Sequence, residues 1–328
     1  MKEILPIVVT GDRPTGKLHL GHYVGSLQNR LSLQDSHEMY ILIADTQVLN
    51  NDITKAKQVK ENTLEVMRDY LAIGLDPNKV KFFLQSEIPE LFELSSYLGN
   101  IVTLPQVQRI PTIKHENEIY NSSLNMGFLN YPISQTADII LLGGELVPVG
   151  IDQMPILEFG NDIIDRFHYL FNCSIFKKIK PLLSNNSKLV GIDGNQKMSK
   201  SLGNAIFLDE DEKSLKQKVF QMFTDPGHIK VSDPGKIEGN VVFQFLDVFH
   251  KDKQELENFK EHYQRGGLGD VYLKNILNKD INEFLSPIRE KRKMYYNEEL
   301  KNILEDGTRF IQNKAKENMK KIKGVIFK

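Results

Sequence analysis

Residues 4–27 read ILPIVVTGDRPTGKLHLGHYVGSL, and the order of residue types in this stretch sets the architecture. Ile4 to Thr10 are almost all apolar, Gly11 to Gly16 hold two glycines and a proline, and an amphipathic pattern begins at Leu18. The reading is strand, tight turn, helix. An apolar run without alternation suits a strand buried on both faces, as in a parallel sheet. Two further runs, MYILIA at 39–44 and VKFFL at 80–84, enclose a helical pattern with Val59, Thr63, Met67, Tyr70 and Leu71 on one face. Thr54 is the expected N-cap of that helix and Gly74 its stop. GGELVPVG at 143–150 reads as another short strand, followed by a helix that turns Ile156, Leu157, Ile163, Ile164 and Phe167 inward. Strand and helix alternating in this order predict an α/β fold with a doubly wound parallel sheet.

Composition narrows the class. The chain has 328 residues, 40% of them hydrophobic and 26% charged, enough apolar material for a substantial core and, at ordinary domain sizes, for two domains. A single cysteine, Cys173, leaves no disulfide framework, and with eight scattered histidines no cluster has the spacing of a zinc site. The apolar run near the N-terminus is shorter than a signal-peptide core and no uncharged stretch approaches membrane-spanning length, so a cytoplasmic protein without a membrane segment is expected. The net charge of −1 argues against an indiscriminate polyanion or DNA binder. Residues 287–328 nevertheless hold twelve Lys/Arg against six acids. Read alone, that balance fits a solvated helix face as well as a surface facing a polyanion.

After residue 205 the pattern changes to Lys- and Glu-rich helices broken by Asp225-Pro226-Gly227, Asp233-Pro234-Gly235 and Gly266-Gly267. The Asn-, Ser- and Gly-rich stretch at 185–205 reads as a mobile loop at the boundary.

Two constellations carry chemistry. His19-Leu20-Gly21-His22 sits where the first strand gives way to a helix, and there backbone N–H groups at a helix N-terminus can meet a phosphate. Two histidines three apart reach one side of that turn. Lys197-Met198-Ser199-Lys200-Ser201 lies inside the loop, where two lysines can clamp polyphosphate oxygens once the loop closes. Each motif alone is also compatible with a surface cap or an exposed Lys/Ser loop. Their conjunction, one nucleotide-binding domain apart, is not ordinary.

With HLGH and an intact KMSKS, the sequence resembles the class I aminoacyl-tRNA synthetases, and among them the bacterial tryptophanyl-tRNA synthetase family. GDRPTGKLHLGHYVGSL at 11–27, YPISQTAD at 131–138, VPVGIDQ at 147–153, KMSKS at 197–201 and RGGLGDV at 265–271 carry the resemblance. It implies a Rossmann-like catalytic domain over 1–186 with a helical insertion at about 88–135, and a KMSKS loop at 187–205. A helical anticodon-binding domain at 206–290 and a basic helix at 291–328, packed back on the first domain, complete the expected organisation.

The resemblance also implies activation of L-tryptophan by ATP with Mg²⁺, then transfer to the terminal adenosine of tRNA(Trp), in a homodimer. His19, His22, Lys197 and Lys200 would be catalytic, with Arg13, Pro14, Thr15 and Gly21 lining the ATP site. Gly150, Ile151 and Asp152 would hold the ribose side, and Met198, Ser199 and Ser201 would join the lysines at the phosphates. No side chain is expected to ligate a metal. For the amino acid, an indole needs one buried acceptor among apolar walls. By resemblance the acceptor is Asp138, with Val147 and Val149 as lining and Tyr131, Gln135 and Gln153 nearby. Gln135, Ile151 and Gln47 depart from residues common in the family, and Gln135 three residues before Asp138 also suits a tyrosyl pocket. A tyrosyl enzyme would usually carry a tyrosine on the first strand, and residues 4–12 have none. A small adenylyltransferase would lack the long helical region after the loop. A non-catalytic RNA- or amino-acid-binding relative would have lost a signature histidine or lysine.

Overall fold

The computed structural model describes residues 5–50, 53–114, 125–183, 189–194, 198–200 and 202–328. Among them five strands form one parallel sheet: β1 Ile7–Asp12, β2 Glu38–Ile43, β3 Val80–Leu84, β4 Leu146–Val149 and β5 Lys180–Leu183. The helices are α1 Leu20–His22, α2 Gln28–Leu33, α3 Ala56–Ile73, α4 Pro89–Gly99, α5 Leu104–Gln108 and α6 Met126–Ile140. They continue with α7 Met154–Phe171, α8 Glu212–Gln221, α9 Val241–Phe249, α10 Lys253–Arg265, α11 Asp270–Met294 and α12 Asn297–Ile326. The chain divides into two compact units, Met1–Gly16 with Gln28–Ser184 and Tyr296–Lys328, and Lys17–Leu27 with Asn185–Tyr295.

In the first unit the strand order is β3-β2-β1-β4-β5, so the sheet is wound outward in both directions from β1. The reversal between β1 and β4 opens a crevice at their carboxyl ends, where ligands of doubly wound sheets bind. β2 is buried at every position from Met39 to Ile43, as its unbroken apolar run requires. β5 was not foreseen from the sequence: it is four residues long, contains Pro181 and begins on exposed Lys180, features a proline-tolerant edge strand allows. α3 is preceded by a 3₁₀ turn over Ile53–Lys55, so Lys55 rather than Thr54 occupies the N-cap. Gly74 ends it with φ 110°, a left-handed conformation that glycine adopts without strain. Ile156, Leu157, Ile163, Ile164 and Phe167 are all buried on α7. α6 runs through Pro132 to Ile140, past the expected end of the helical insertion at 135.

α12 covers the outer edge of the sheet. Leu300, Leu304, Ile311, Ala315, Met319 and Ile322 form its buried stripe, and Lys301, Arg309, Lys316, Lys320 and Lys321 face solvent. At Gly307 the helix comes so close to β3 that an added Cβ would lie 2.0 Å from the Phe82 carbonyl oxygen. The Leu84 N–H donates to Thr308 Oγ1 (3.2 Å), and Gln312 Nε2 donates to the Glu87 carbonyl (2.8 Å). Edge groups that would otherwise be open to another strand are thereby satisfied.

The second unit is built on α8 to α11. Val241, Val242, Phe243, Phe245 and Leu246 make α9 apolar nearly all round, and it is buried accordingly. Leu273, Leu277, Ile281, Leu285 and Ile288 supply the inner stripe of α11. No helix among the described residues is long and apolar enough to cross a membrane.

Candidate active site

Each half of the expected machinery is organised within its own unit. In the first, Arg13-Pro14-Thr15 directly follow β1 and Gly150-Ile151-Asp152 directly follow β4. These are the two strands that flank the switch point, so both segments lie at the carboxyl-end crevice. Pro14 is buried, whereas Arg13, Thr15, Ile151 and Asp152 are exposed. The Thr15 N–H donates to the Arg13 carbonyl (2.8 Å), Gly16 takes φ 114°, and the chain turns out of β1 at that point. Beneath the turn lies a buried ion pair that sequence reasoning missed. Arg30, 2% exposed, donates through Nη1 to Asp12 Oδ2 (2.7 Å) and Tyr70 Oη (3.1 Å) and through Nη2 to the Gly11 carbonyl (3.3 Å). Tyr70 Oη also donates to Asp12 Oδ2. Despite desolvation, the Asp12 carboxylate holds the Arg30 guanidinium charged and pushes its pKa up. A buried charge is tolerated when paired and hydrogen-bonded this fully. The network fixes where β1 ends.

The amino-acid pocket residues lie on α6 and β4. Tyr131, Gln135 and Asp138 are spaced four and three apart and share one face of α6. Val147 on β4 is 4% exposed, and Val149, two residues on, takes the same face. Asp138 is 2% exposed and is bonded by two amides. Gln85 Nε2 donates to Oδ1 (3.1 Å) and Oδ2 (2.9 Å), and Gln47 Nε2 donates to Oδ2 (3.0 Å). Burial pushes the Asp138 carboxyl up to about 7, against the opposing pull of the Gln85 bond. Gln47, a departure from the family pattern, thus bonds directly to Asp138. Gln85 was missed. Its signal was a polar residue directly after the apolar run of β3, at the end of the sheet where sites form. Gln153, expected beside the amino acid, donates from Nε2 to Asp152 Oδ2 (3.3 Å).

In the second unit the two signature motifs lie against each other. His19 is the N-cap of α1 and His22 its third residue, with ring centroids 3.8 Å apart. The His19 backbone N–H donates to His22 Nδ1 (3.2 Å), so a neutral His22 carries its proton on Nε2 and presents it as a donor. Leu20 N–H donates to the Ile206 carbonyl (2.9 Å) and Leu208 N–H to the Leu18 carbonyl (3.0 Å), pairing the first motif with the segment after the second. Gly21 N–H points at Met198 Sδ (3.4 Å), and a Cβ on Gly21 would meet the His19 ring at 3.0 Å and Met198 Cβ at 3.3 Å. A side chain at Gly21 would have to push the His19 ring or Met198 aside by a few tenths of an ångström, so the glycine lets the two motifs approach this closely.

Met198 is buried, and Asn204, 3% exposed, accepts from the Ser199 N–H (2.8 Å) and donates to Asp193 Oδ1 (3.1 Å). Asn204 is a second residue the sequence did not reveal: it holds the signature loop by its backbone. Lys200 is half-buried, while Lys197 and Ser201 lie outside the described residues. No group of three or more His, Cys, Asp or Glu side chains among the described residues could hold a metal ion.

Comparison with known proteins shows the family of the chain. A family model described as tRNA synthetases class I (W and Y) matches residues 2–286. The tryptophan–tRNA ligase of Streptococcus pneumoniae serotype 4 is 46% identical over 98% of this chain and 97% of its own length. That of Clostridium longisporum is 44% identical over 98% and 96%. The crystal structure of tryptophanyl-tRNA synthetase from Campylobacter jejuni complexed with ADP and tryptophan superposes with a TM-score of 0.84, covering 98% of this chain and 100% of its own at 29% identity. With the family model matched over residues 2–286 and relatives 44–46% identical over nearly the whole chain, the chain belongs to the class I tRNA synthetases for tryptophan and tyrosine, in the tryptophan–tRNA ligase family.

Proposed function

We propose that the chain joins tryptophan to tRNA(Trp) in two steps: the tryptophan carboxylate attacks the α-phosphate of ATP and releases pyrophosphate, and the adenylate then esterifies the terminal adenosine of the tRNA. The observation that carries this reading is Asp138, a buried carboxylate whose recorded partners are two amide donors. A carboxylate in that setting suits a single substrate N–H. Val147 and Val149 supply apolar walls, and Tyr131, Gln135 and Gln153 are assigned to the rest of the amino acid.

In the first unit Arg13, Pro14, Thr15, Gly150, Ile151 and Asp152 are assigned to ATP; in the second, Gly21, His22, Met198, Ser199 and Lys200, together with Lys197 and Ser201. Chemistry of this kind depends on orientation and charge stabilisation more than on a side-chain nucleophile. His22 would donate from Nε2 to a phosphate oxygen, with His19 holding the turn beneath it. Lys197 and Lys200 would stabilise pyrophosphate as its charge develops. Mg²⁺ is assigned to the phosphate oxygens of ATP, where it would share their charge with the lysines.

The helices of 206–290 are assigned to the anticodon, read as unpaired bases, and the protein to the cytoplasm. A homodimer belongs to the same reading.

Because the chain contains no tryptophan, indole emission from a mixture with the amino acid reports ligand alone. Bound tryptophan should shift its emission on entering the apolar pocket. Excess tyrosine should leave that shifted signal in place. Displacement by tyrosine as effective as by a tryptophan analogue would replace this reading with the tyrosyl one.

A further inference from the structure

We infer that Gln85, held by the Thr46 hydroxyl, is a positioning residue that keeps Asp138 presenting a free lone pair to the side-chain N–H of the amino-acid substrate. The inference rests on the assignment of Asp138 as the acceptor in the amino-acid pocket.

Gln85 is fully buried at the carboxyl end of β3. A primary amide has one accepting and one donating end, and burial makes the choice between them consequential. Thr46 Oγ1 donates to Gln85 Oε1, which leaves Nε2 to donate to both Asp138 oxygens. With Gln47 also on Oδ2, that oxygen accepts twice and Oδ1 once. A carboxylate has about four lone-pair sites, so one remains, on Oδ1. It matches one further N–H. If the Gln85 amide were turned over, its oxygen would face the carboxyl group and only a protonated Asp138 could meet it. The carboxyl proton would then point at Gln85, and the neutral acid would be a weaker acceptor for the substrate N–H. Amide orientation and protonation of Asp138 are therefore one linked equilibrium.

The surroundings make that linkage matter near neutrality. Burial raises the Asp138 pKa to about 7, and the Gln85 bond lowers it. Among the described residues no charged side chain is bonded to Asp138. On the elements packed against α6, Asp45 is bonded to Ser86, Glu93 to Tyr97 and Lys323, and Asp12 to Arg30. Glu158, Asp162, Asp165 and Arg166 of α7 and Glu87 are exposed; Glu90 of α4 and Tyr131 of α6 are half-buried, and neither is bonded to Asp138. Among the described residues the side chains bonded to the carboxylate are these two amides, and the Gln85 bond favours its charged form.

The test is ATP–pyrophosphate exchange from pH 5.5 to pH 9 with tryptophan and with its benzothienyl analogue, in which sulfur replaces the indole N–H. The ratio of the two kcat/KM values cancels titrations that affect both substrates. In the wild type the ratio favours tryptophan above pH 7 and falls below it. Gln85→Met should move the midpoint of that fall upward by about one to two pH units, the equivalent of a hydrogen bond to a charged group. At pH 7 its preference should drop about tenfold or more, and raising the pH to 9 should restore much of it. Thr46→Val, at a half-buried position, should move the midpoint the same way by less, and it decides the question if Gln85→Met does not fold. A midpoint left in place, with the ratio lowered equally at every pH, would make Gln85 a merely structural residue and overturn the inference. A wild type that uses both substrates equally at all pH values would instead remove Asp138 from the pocket, and the inference with it.

Discussion

Asp138→Asn removes a carboxyl group that the fold holds far from its ordinary protonation range, and the consequence can be read without any substrate. The structure raises this carboxyl from the usual 3.8 to about 7 by burial. Between those values the folded protein retains a proton that the unfolded chain has lost, so stability falls as pH rises through the window and is level above it. Each pH unit corresponds to about 1.4 kcal/mol. Across the whole window the wild type therefore gives up about 4 kcal/mol, of which about 3 kcal/mol falls between pH 5 and pH 8. The Asn variant has nothing to titrate there. Urea unfolding of both proteins at pH 5, 6, 7 and 8, followed by far-UV circular dichroism, gives the difference in unfolding free energy, in which titrations common to both cancel. That difference, variant minus wild type, should rise by about 3 kcal/mol from pH 5 to pH 8. A difference flat to within about 0.5 kcal/mol would mean that Asp138 is not a buried acid of raised pKa, and the reasoning from burial would fail.

Two other substitutions test separate parts of the account. Gly307→Ala should lower stability by about 1 to 3 kcal/mol, although alanine is the better helix former, because its Cβ cannot fit against the Phe82 carbonyl; calorimetric Tm values check it. Lys200→Ala should leave tryptophan binding, followed by indole emission, nearly unchanged while adenylate formation falls about 10²- to 10³-fold. Equal losses in both would give Lys200 a structural role.

What the sequence revealed follows from the range of the signals involved. Strands β1 to β4 and the buried faces of α3 and α7 were legible because continuous apolar runs and 3.6-residue spacing are local patterns. β5 was not, since a short edge strand with Pro181 and an exposed lysine has neither pattern. Thr54 looked like a cap because its side chain suits one, but the 3₁₀ turn at 53–55 moved the helix start by a residue. In the site, HLGH and KMSKS were visible as words. Their supports were not: Arg30 meets Asp12 across 18 residues, Asn204 meets Asp193 across 11, and Gln85 meets Asp138 across 53. Partners that far apart carry no periodicity. Gln47 shows the other limit: the sequence marked it as a departure from the family without giving its contact, and the fold gives it a bond to Asp138.

The central claim is that this chain activates tryptophan, and exchange of labelled pyrophosphate into ATP, run with each of the twenty amino acids in turn, tests it most directly. Tryptophan should support exchange more efficiently than tyrosine by about 10²-fold or more, because the smaller phenol leaves apolar wall unfilled and its hydroxyl oxygen only partly satisfied. Exchange driven equally well by tyrosine, or by no amino acid at all, would contradict the account.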